Sequence, residues 1–440
     1  MALLYAAGTQ QWLSSDAATT VYTISGLAFA PKALRFRWMG LGSATDLASS
    51  TTDSRRGEGY AVSTSSRACA VTQDQDATAN AVCTTAIASD CCVATVTSTP
   101  AFDGKLDIHA FTEDGFQLIV DDAAPVDISV FWEAWGGSDI TDASIGSFDE
   151  PPPSAGVVAY STGAGSISGA SFRPSVVFFA GTQNSEIDIP SRTDSQLCMG
   201  VLTYSASGGS SNIVLTGMND DNSPTMDSFG HGSNLYCLAM IPQGGNTALD
   251  LRAEGDTTPF TSTQFRLNWL ERSNKSRKFI FMCIGGGGWR AGELTLDTNT
   301  LNATTTVSGL PFVPVGLSTI SRYTGQVETG ADVAVAADRM TFGCASSTSS
   351  RRSMAMESDN GTADAAILLR IDYDQLETAI ASDVVTVDVD AFTTDGFRLI
   401  TDATNGTNGN AAHWIGYLTF GSNLSIKYKQ FPFDNTLLRM

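Results

Sequence analysis

The stretch Ile24-Ser25-Gly26-Leu27-Ala28-Phe29-Ala30-Pro31 returns as Ile167-Ser168-Gly169-Ala170-Ser171-Phe172-Arg173-Pro174, and again as Val307-Ser308-Gly309-Leu310-Pro311-Phe312-Val313-Pro314. The copies stand about 140 residues apart in a chain of 440. Self-similarity at a fixed period marks a repeat architecture. The chain therefore reads as three tandem copies of one module.

Two further matches keep the same register. Residues 107–121 read DIHAFTEDGFQLIVD and residues 388–402 read DVDAFTTDGFRLITD, with ten of fifteen positions identical. Residues 59–67, GYAVSTSSR, correspond to residues 343–351, GCASSTSSR. The first and third copies are thus related along their whole length. The middle copy has drifted: Gln264-Phe265-Arg266-Leu267 stands where the third has Gly396-Phe397-Arg398-Leu399, and the Asp-Gly pair is gone.

A module of this length can bury its own core. The composition, rich in Ser, Thr, Gly and Ala, points to β structure rather than helix. The 25 Lys and Arg against 46 Asp and Glu give a net charge of −21, which repels a phosphate backbone, so no nucleic-acid partner is expected. No run approaches the roughly 18 to 20 apolar residues of a membrane span, and no membrane insertion is expected. The first seven residues, MALLYAA, lack the basic start and apolar length of a secretory signal, which implies a protein made in the cytoplasm.

Residues 33–38, ALRFRW, alternate as a half-buried strand does, and residues 176–179, VVFF, read as the same element buried on both faces. The Pro before these runs suits a strand entry. Asp114-Gly115 and Asp395-Gly396, set between apolar runs, predict two-residue hairpin loops with the glycine at positive φ. Aromatic-rich runs at residues 130–135, 279–282 and 414–420 close the modules, and the strand each begins ends at glycine: Gly136, Gly285 and Gly421. Residues 373–380, YDQLETAI, are the best helix candidate.

The expected fold class is all-β: three antiparallel β-sandwich, jelly-roll-like modules at residues 1–140, 155–290 and 291–422. Residues 141–154, which contain Pro151-Pro152-Pro153, read as a stiff linker. Residues 423–440 read as a C-terminal docking arm in which Tyr428, Phe431, Phe433, Leu437 and Leu438 need a surface to cover them. Among the eight cysteines, Cys69, Cys83, Cys91 and Cys92 form the dense group, where a structural disulfide competes with buried thiols.

No catalytic, cofactor or metal site is legible. The three histidines, His109, His231 and His413, have no nucleophile motif beside them, and His109 falls where the third copy has Asp390. The run Ile284-Gly285-Gly286-Gly287-Gly288 lacks the Lys-Ser/Thr ending of a phosphate loop and reads as a turn. Residues 219–222, NDDN, and 357–361, ESDNG, offer oxygen ligands without the spacing of a calcium loop. Paired carboxylates for glycoside cleavage are not singled out. Trp135 and Trp289, beside glycine turns, are the candidates for exposed rings that stack on a glycan; the other tryptophans read as core.

The order Ser-Gly-x-x-Phe-x-Pro, apolar strand, Ser/Thr/Gly-rich segment, Phe-Thr-x-Asp-Gly-Phe and closing strand with glycine resembles modules of tailed-bacteriophage virion proteins. The resemblance covers nearly the whole chain, carries no catalytic residues, and is weakest in the middle copy. It implies a structural virion component, assembled in the host cytoplasm and released by lysis. The expected role is a tail-fibre or tail-tip adhesin that presents loops to a host surface glycan, multiplying weak contacts by repetition and homo-oligomerisation among other virion proteins. A capsid decoration or head fibre is the alternative, and a carbohydrate-active enzyme is the rival from another class.

Overall fold

A computed structural model of the chain describes residues 2–43, 48–75, 81–152, 156–205, 209–221, 227–245, 248–273, 275–297, 300–322, 334–335, 338–358, 367–378, 385–403 and 412–423. The protein is all-β, with no helix among the described residues. The expected helix over 373–380 is absent in its described part: a bend follows Asp372 and a short strand, Glu377–Thr378, pairs with Thr386–Thr393. Leu376 is buried beneath the third small sheet instead of lying on one side of a helix.

Each repeat builds a large and a small antiparallel sheet. In the first, the large sheet places Leu4–Trp12 beside Ile128–Gly136, followed by Pro31–Met39, Ser54–Ala61, Arg67–Asp74 and Cys83–Ala88. The small sheet runs Val21–Ile24, Gly115–Asp122, Phe102–Thr112, Val93–Val96. The second and third repeats reproduce both orders. The two sheets of the first repeat enclose a core that includes Phe36, Trp38, Phe116 and Trp132, and separate clusters fill the other two sandwiches.

The opening strand of every repeat pairs with its closing strand, which corrects the expected linker. Ile140–Asp149 is not a spacer but the edge strand of the second large sheet, in register with Lys278–Gly286. Gly288–Asp297 likewise opens the third repeat against Ala412–Asn423. Opposite the aromatic of each closing strand stands a glycine: Gly8 faces Trp132, Gly146 faces Phe281 and Gly292 faces Tyr417. A Cβ on these glycines would meet the ring at 1.9, 2.5 and 2.6 Å, so the missing side chain is what lets the ring lie across the neighbouring strand.

The repeats also trade strands in a closed cycle. Ser191–Arg192 of the second repeat extends the first large sheet at Cys83–Ala88. Ala334–Val335 of the third extends the second at Ser228–Ser233, and Ser49–Thr51 of the first extends the third at Ile367–Asp372. A head-to-tail contact that returns to its starting point makes a ring. The inner faces of the three large sheets consequently share one core, in which Trp135 contacts Phe178, Trp289 and Phe420, and Phe178 contacts Trp289, across repeat boundaries.

The motif that defines the repeat is a cap on the small-sheet hairpin. Gly26 and Gly309 take φ of 81° and 77°, and their amides donate to the side chains of Asp114 and Asp395 at 3.2 Å. Leu27 and Leu310 amides donate to the carbonyls of the same aspartates. Phe29, Phe172 and Phe312 lie against Gly136, Gly285 and Gly421 of the closing strands, three equivalent places. The expected positive φ at Gly115 and Gly396 is not found. The two-residue turns are Glu113-Asp114 and Thr394-Asp395, closed by the pairs Thr112↔Gly115 and Thr393↔Gly396. Glycine is needed one place later because a Cβ there would sit 1.9 and 1.8 Å from the carbonyl oxygens of Ile24 and Val307.

Candidate functional site at the junction of the first two repeats

Where the first repeat meets the second, the turn after Ser54–Ala61 leans on the loop that precedes the second Ser-Gly motif. The Ser66 hydroxyl donates to the Gly165 carbonyl at 2.9 Å, and Gly165 itself has φ of 68°. Below this contact lies an open cleft of about 190 Å³ between the two repeats. Its floor is apolar, formed by Ile87, Ile145, Ile187 and Ile280. Its rim carries Arg67 and the serines 65, 66, 89 and 147.

Arg67 is positioned by an ion pair that unites two of the matched sequence segments. Its Nε donates to Asp107 Oδ1 at 3.1 Å and Oδ2 at 2.9 Å, while the Ile108 amide donates to Oδ1 at 2.7 Å. The third repeat repeats the arrangement, with Arg351 on Asp388 and the Val389 amide donating to Asp388 at 2.6 Å. Burial pushes the carboxyls of Asp107 and Asp388 up to about 6, against the pull of the arginines. In the second repeat Glu254 holds the pairing position of Asp107 and accepts from Asn268 at 2.9 Å. The two arginines differ: Arg351 also donates from Nη1 to the Thr348 carbonyl, whereas no hydrogen bond from Nη1 or Nη2 of Arg67 goes to a described residue.

The structure moves the glycan-stacking candidates inside. Trp135 is 0 % exposed and Trp289 5 %, their ring centres 6.0 Å apart in the shared core. Both rings belong to that core and are not binding platforms. His109 is exposed on Phe102–Thr112, and His231 is buried with its ring stacked near Tyr236. The side chain of His413 and the arm residues Tyr428, Phe431, Phe433, Leu437 and Leu438 lie outside the described residues.

The acidic loop at 219–222 is a joint in its described part. Asp221 pairs with Arg192 of the exchanged strand at 3.1 Å and accepts from the Cys83 amide at 2.9 Å. Burial, then the Asp194 carboxylate, pushes Asp220 up to about 7. Among the described residues no group of three or more His, Cys, Asp or Glu is placed to hold a metal ion. All eight cysteines are buried free thiols. Cys69 Sγ and Cys91 Sγ stand 3.9 Å apart, nearly twice the roughly 2.05 Å of a disulfide, so no disulfide joins the dense group.

One constellation has no signal in the sequence. Arg35 and Arg37 meet Glu58 and Glu133 at the heart of the ring, all four nearly fully buried. Arg35 grips both oxygens of Glu58 at 3.0 and 2.7 Å, and Arg37 reaches Glu133 at 2.8 Å. The third repeat completes the set through the Ser318 hydroxyl and the carbonyls of Thr319 and Gly343. The alternation Arg-Phe-Arg in residues 35–37 reads as a strand with a wet face, and only the ring turns that face inward. With its charges paired and its donors used, this cluster is a joint between repeats rather than a reactive centre.

Compared with known proteins, the chain matches no protein-family profile and no curated sequence.

Proposed function

We propose that the chain is a structural virion component of a tailed bacteriophage, of the tail-fibre or tail-tip type, that presents loops for host-surface binding. The observation that supports this reading best is the cyclic strand exchange, which joins three related repeats around one core. Such a block holds its loops on rigid strands and offers related surfaces several times over, the condition under which weak contacts add up. The resemblance of the repeated motif to phage virion modules points the same way. Residues 424–440 would then serve as an arm seated on another virion protein or a second copy, with Tyr428, Phe431, Phe433, Leu437 and Leu438 as its apolar contacts.

Imaging assembled particles with this subunit labelled tests the role. Label at the tail tip or on fibres agrees with adhesion. Label on the head replaces it with decoration, the reading that a ring of three also favours because it matches a threefold position in a shell. Loss of polysaccharide cleavage in a folded His109→Ala variant would replace both with an enzyme.

A further inference from the structure

The cleft between the first two repeats combines an apolar floor, a hydroxyl-rich rim and a guanidinium that hydrogen-bonds the described residues through one nitrogen. Asp107 fixes Nε, so the two remaining amino groups of Arg67 form a planar fork, pre-set for a carbonyl or carboxylate oxygen. Charge decides between those two. Four carboxylates, Asp90, Asp107, Asp121 and Asp188, surround the two cations Arg67 and Lys105. A carboxylate would add a further negative charge to that excess, whereas a neutral carbonyl would not.

Size and lining narrow the ligand further. A volume of about 190 Å³ falls below the roughly 300 Å³ at which pockets begin to take drug-sized molecules, so one small unit fits. Among the described residues no aromatic ring lines the cleft, so they do not hold a sugar by stacking on its face. The isoleucines instead suit a methyl group, and the serine hydroxyls suit a polyol.

We infer that this cleft binds a neutral N-acetylated sugar unit, with the acetamido methyl on the isoleucine floor, its carbonyl oxygen accepting from the Arg67 fork, and its hydroxyls against the serine rim. The choice of a sugar rests on the adhesion reading; the choice of its acetamido group rests on the cleft.

Titration of the full-length protein with N-acetylglucosamine, glucose and glucuronic acid, followed by ligand-observed NMR, tests it. N-acetylglucosamine should saturate a single site, with the other two at least about tenfold weaker, since each lacks the group the cleft is built to hold. Ser147, exposed on the rim, offers a blocking variant that leaves the Arg67–Asp107 pair intact: Ser147→Trp should abolish saturation. Arg67→Lys should keep the charge, lose the fork and weaken binding about tenfold. Equal binding of glucose, tighter binding of glucuronic acid, no saturation, or saturation that survives Ser147→Trp would overturn the assignment. Particle imaging separates the two levels. Label on the head with the sugar still bound removes the adhesion reading and keeps the cleft, while label on the tail without sugar binding does the reverse.

Discussion

The first and second repeats place their strands in the same register and fill the ring's centre with opposite chemistry. Arg35 pairs with Glu133 across its sheet where Phe178 pairs with Met282, and Arg37 pairs with Glu58 where Ala180 pairs with Met199. Backbone geometry is therefore common to the repeats, and the identity of each place in the ring is carried by side chains. The charged face of the first repeat is answered by hydroxyl and carbonyl groups of the third, so exchanging repeats would bury four charges against methionines and phenylalanine.

Removing one member of this cluster should have the largest effect in the molecule. Glu133→Ala strands Arg37 in the core and should cost about 3–5 kcal/mol, read as a shift in the chemical-denaturation midpoint. Met282→Leu, at the corresponding place in the second repeat, should cost less than about 1.5 kcal/mol because volume and polarity are kept. Equal losses would mean that the charged cluster does not distinguish the repeats.

Where the repeats agree, substitutions should cost the same in each. Gly59, Gly200 and Gly343 face Phe36, Phe179 and Thr319 in matching registers. A Cβ would lie 1.9, 1.8 and 1.9 Å from the carbonyl oxygens of Cys92, Cys237 and Leu376. Each Gly→Ala change should force a backbone shift costing about 1–3 kcal/mol. A cost confined to one repeat would break the equivalence.

These positions also mark what could be read in advance. The Ser-Gly-x-x-Phe-x-Pro motif, the count of repeats and the all-β class follow from spacing and alternation, because a cap and a strand are local objects. The hairpins were legible in place but not in detail: Asp-Gly reads as a turn, yet the glycine answers a contact with a carbonyl some 90 residues away, Gly115 against Ile24. The fate of Trp135 and Trp289 was out of reach because nothing local says that three sandwiches close into a ring. Arg67 was legible only as a match to Arg351, and the cleft beside it belongs to two repeats at once.

The cap glycines give a smaller, more local test. Gly309 has φ of 77° and open space where a Cβ would stand, so Gly309→Ala should cost only the left-handed backbone penalty, about 1 kcal/mol. Gly396→Ala, in ordinary backbone but facing the Val307 carbonyl at 1.8 Å, should cost more. The reverse order, measured as melting temperatures, would restore the positive-φ turn that the register rules out.

The smallest expected effect is a pH dependence carried by one carboxyl in each of the first and third repeats. Asp107 and Asp388 are pushed up to about 6 by burial, above the roughly 3.9 of an unfolded aspartate. Between those values the folded protein holds more protons than the unfolded chain, so stability falls as pH rises from about 4 to about 6 and is level above that. Both carboxyls keep some solvent and an arginine partner, which makes the slope shallow. In the second repeat Glu254, accepting from Asn268, stands in place of the pair. Urea midpoints measured across this range should decline with pH in the unmodified protein, less steeply in Asp107→Asn, and least in the double variant with Asp388→Asn. The residual slope belongs to groups such as Asp220, pushed up to about 7 by burial and Asp194. A double variant with an unchanged slope would show that Arg67 and Arg351 overcome the burial and keep both carboxylates ionised throughout.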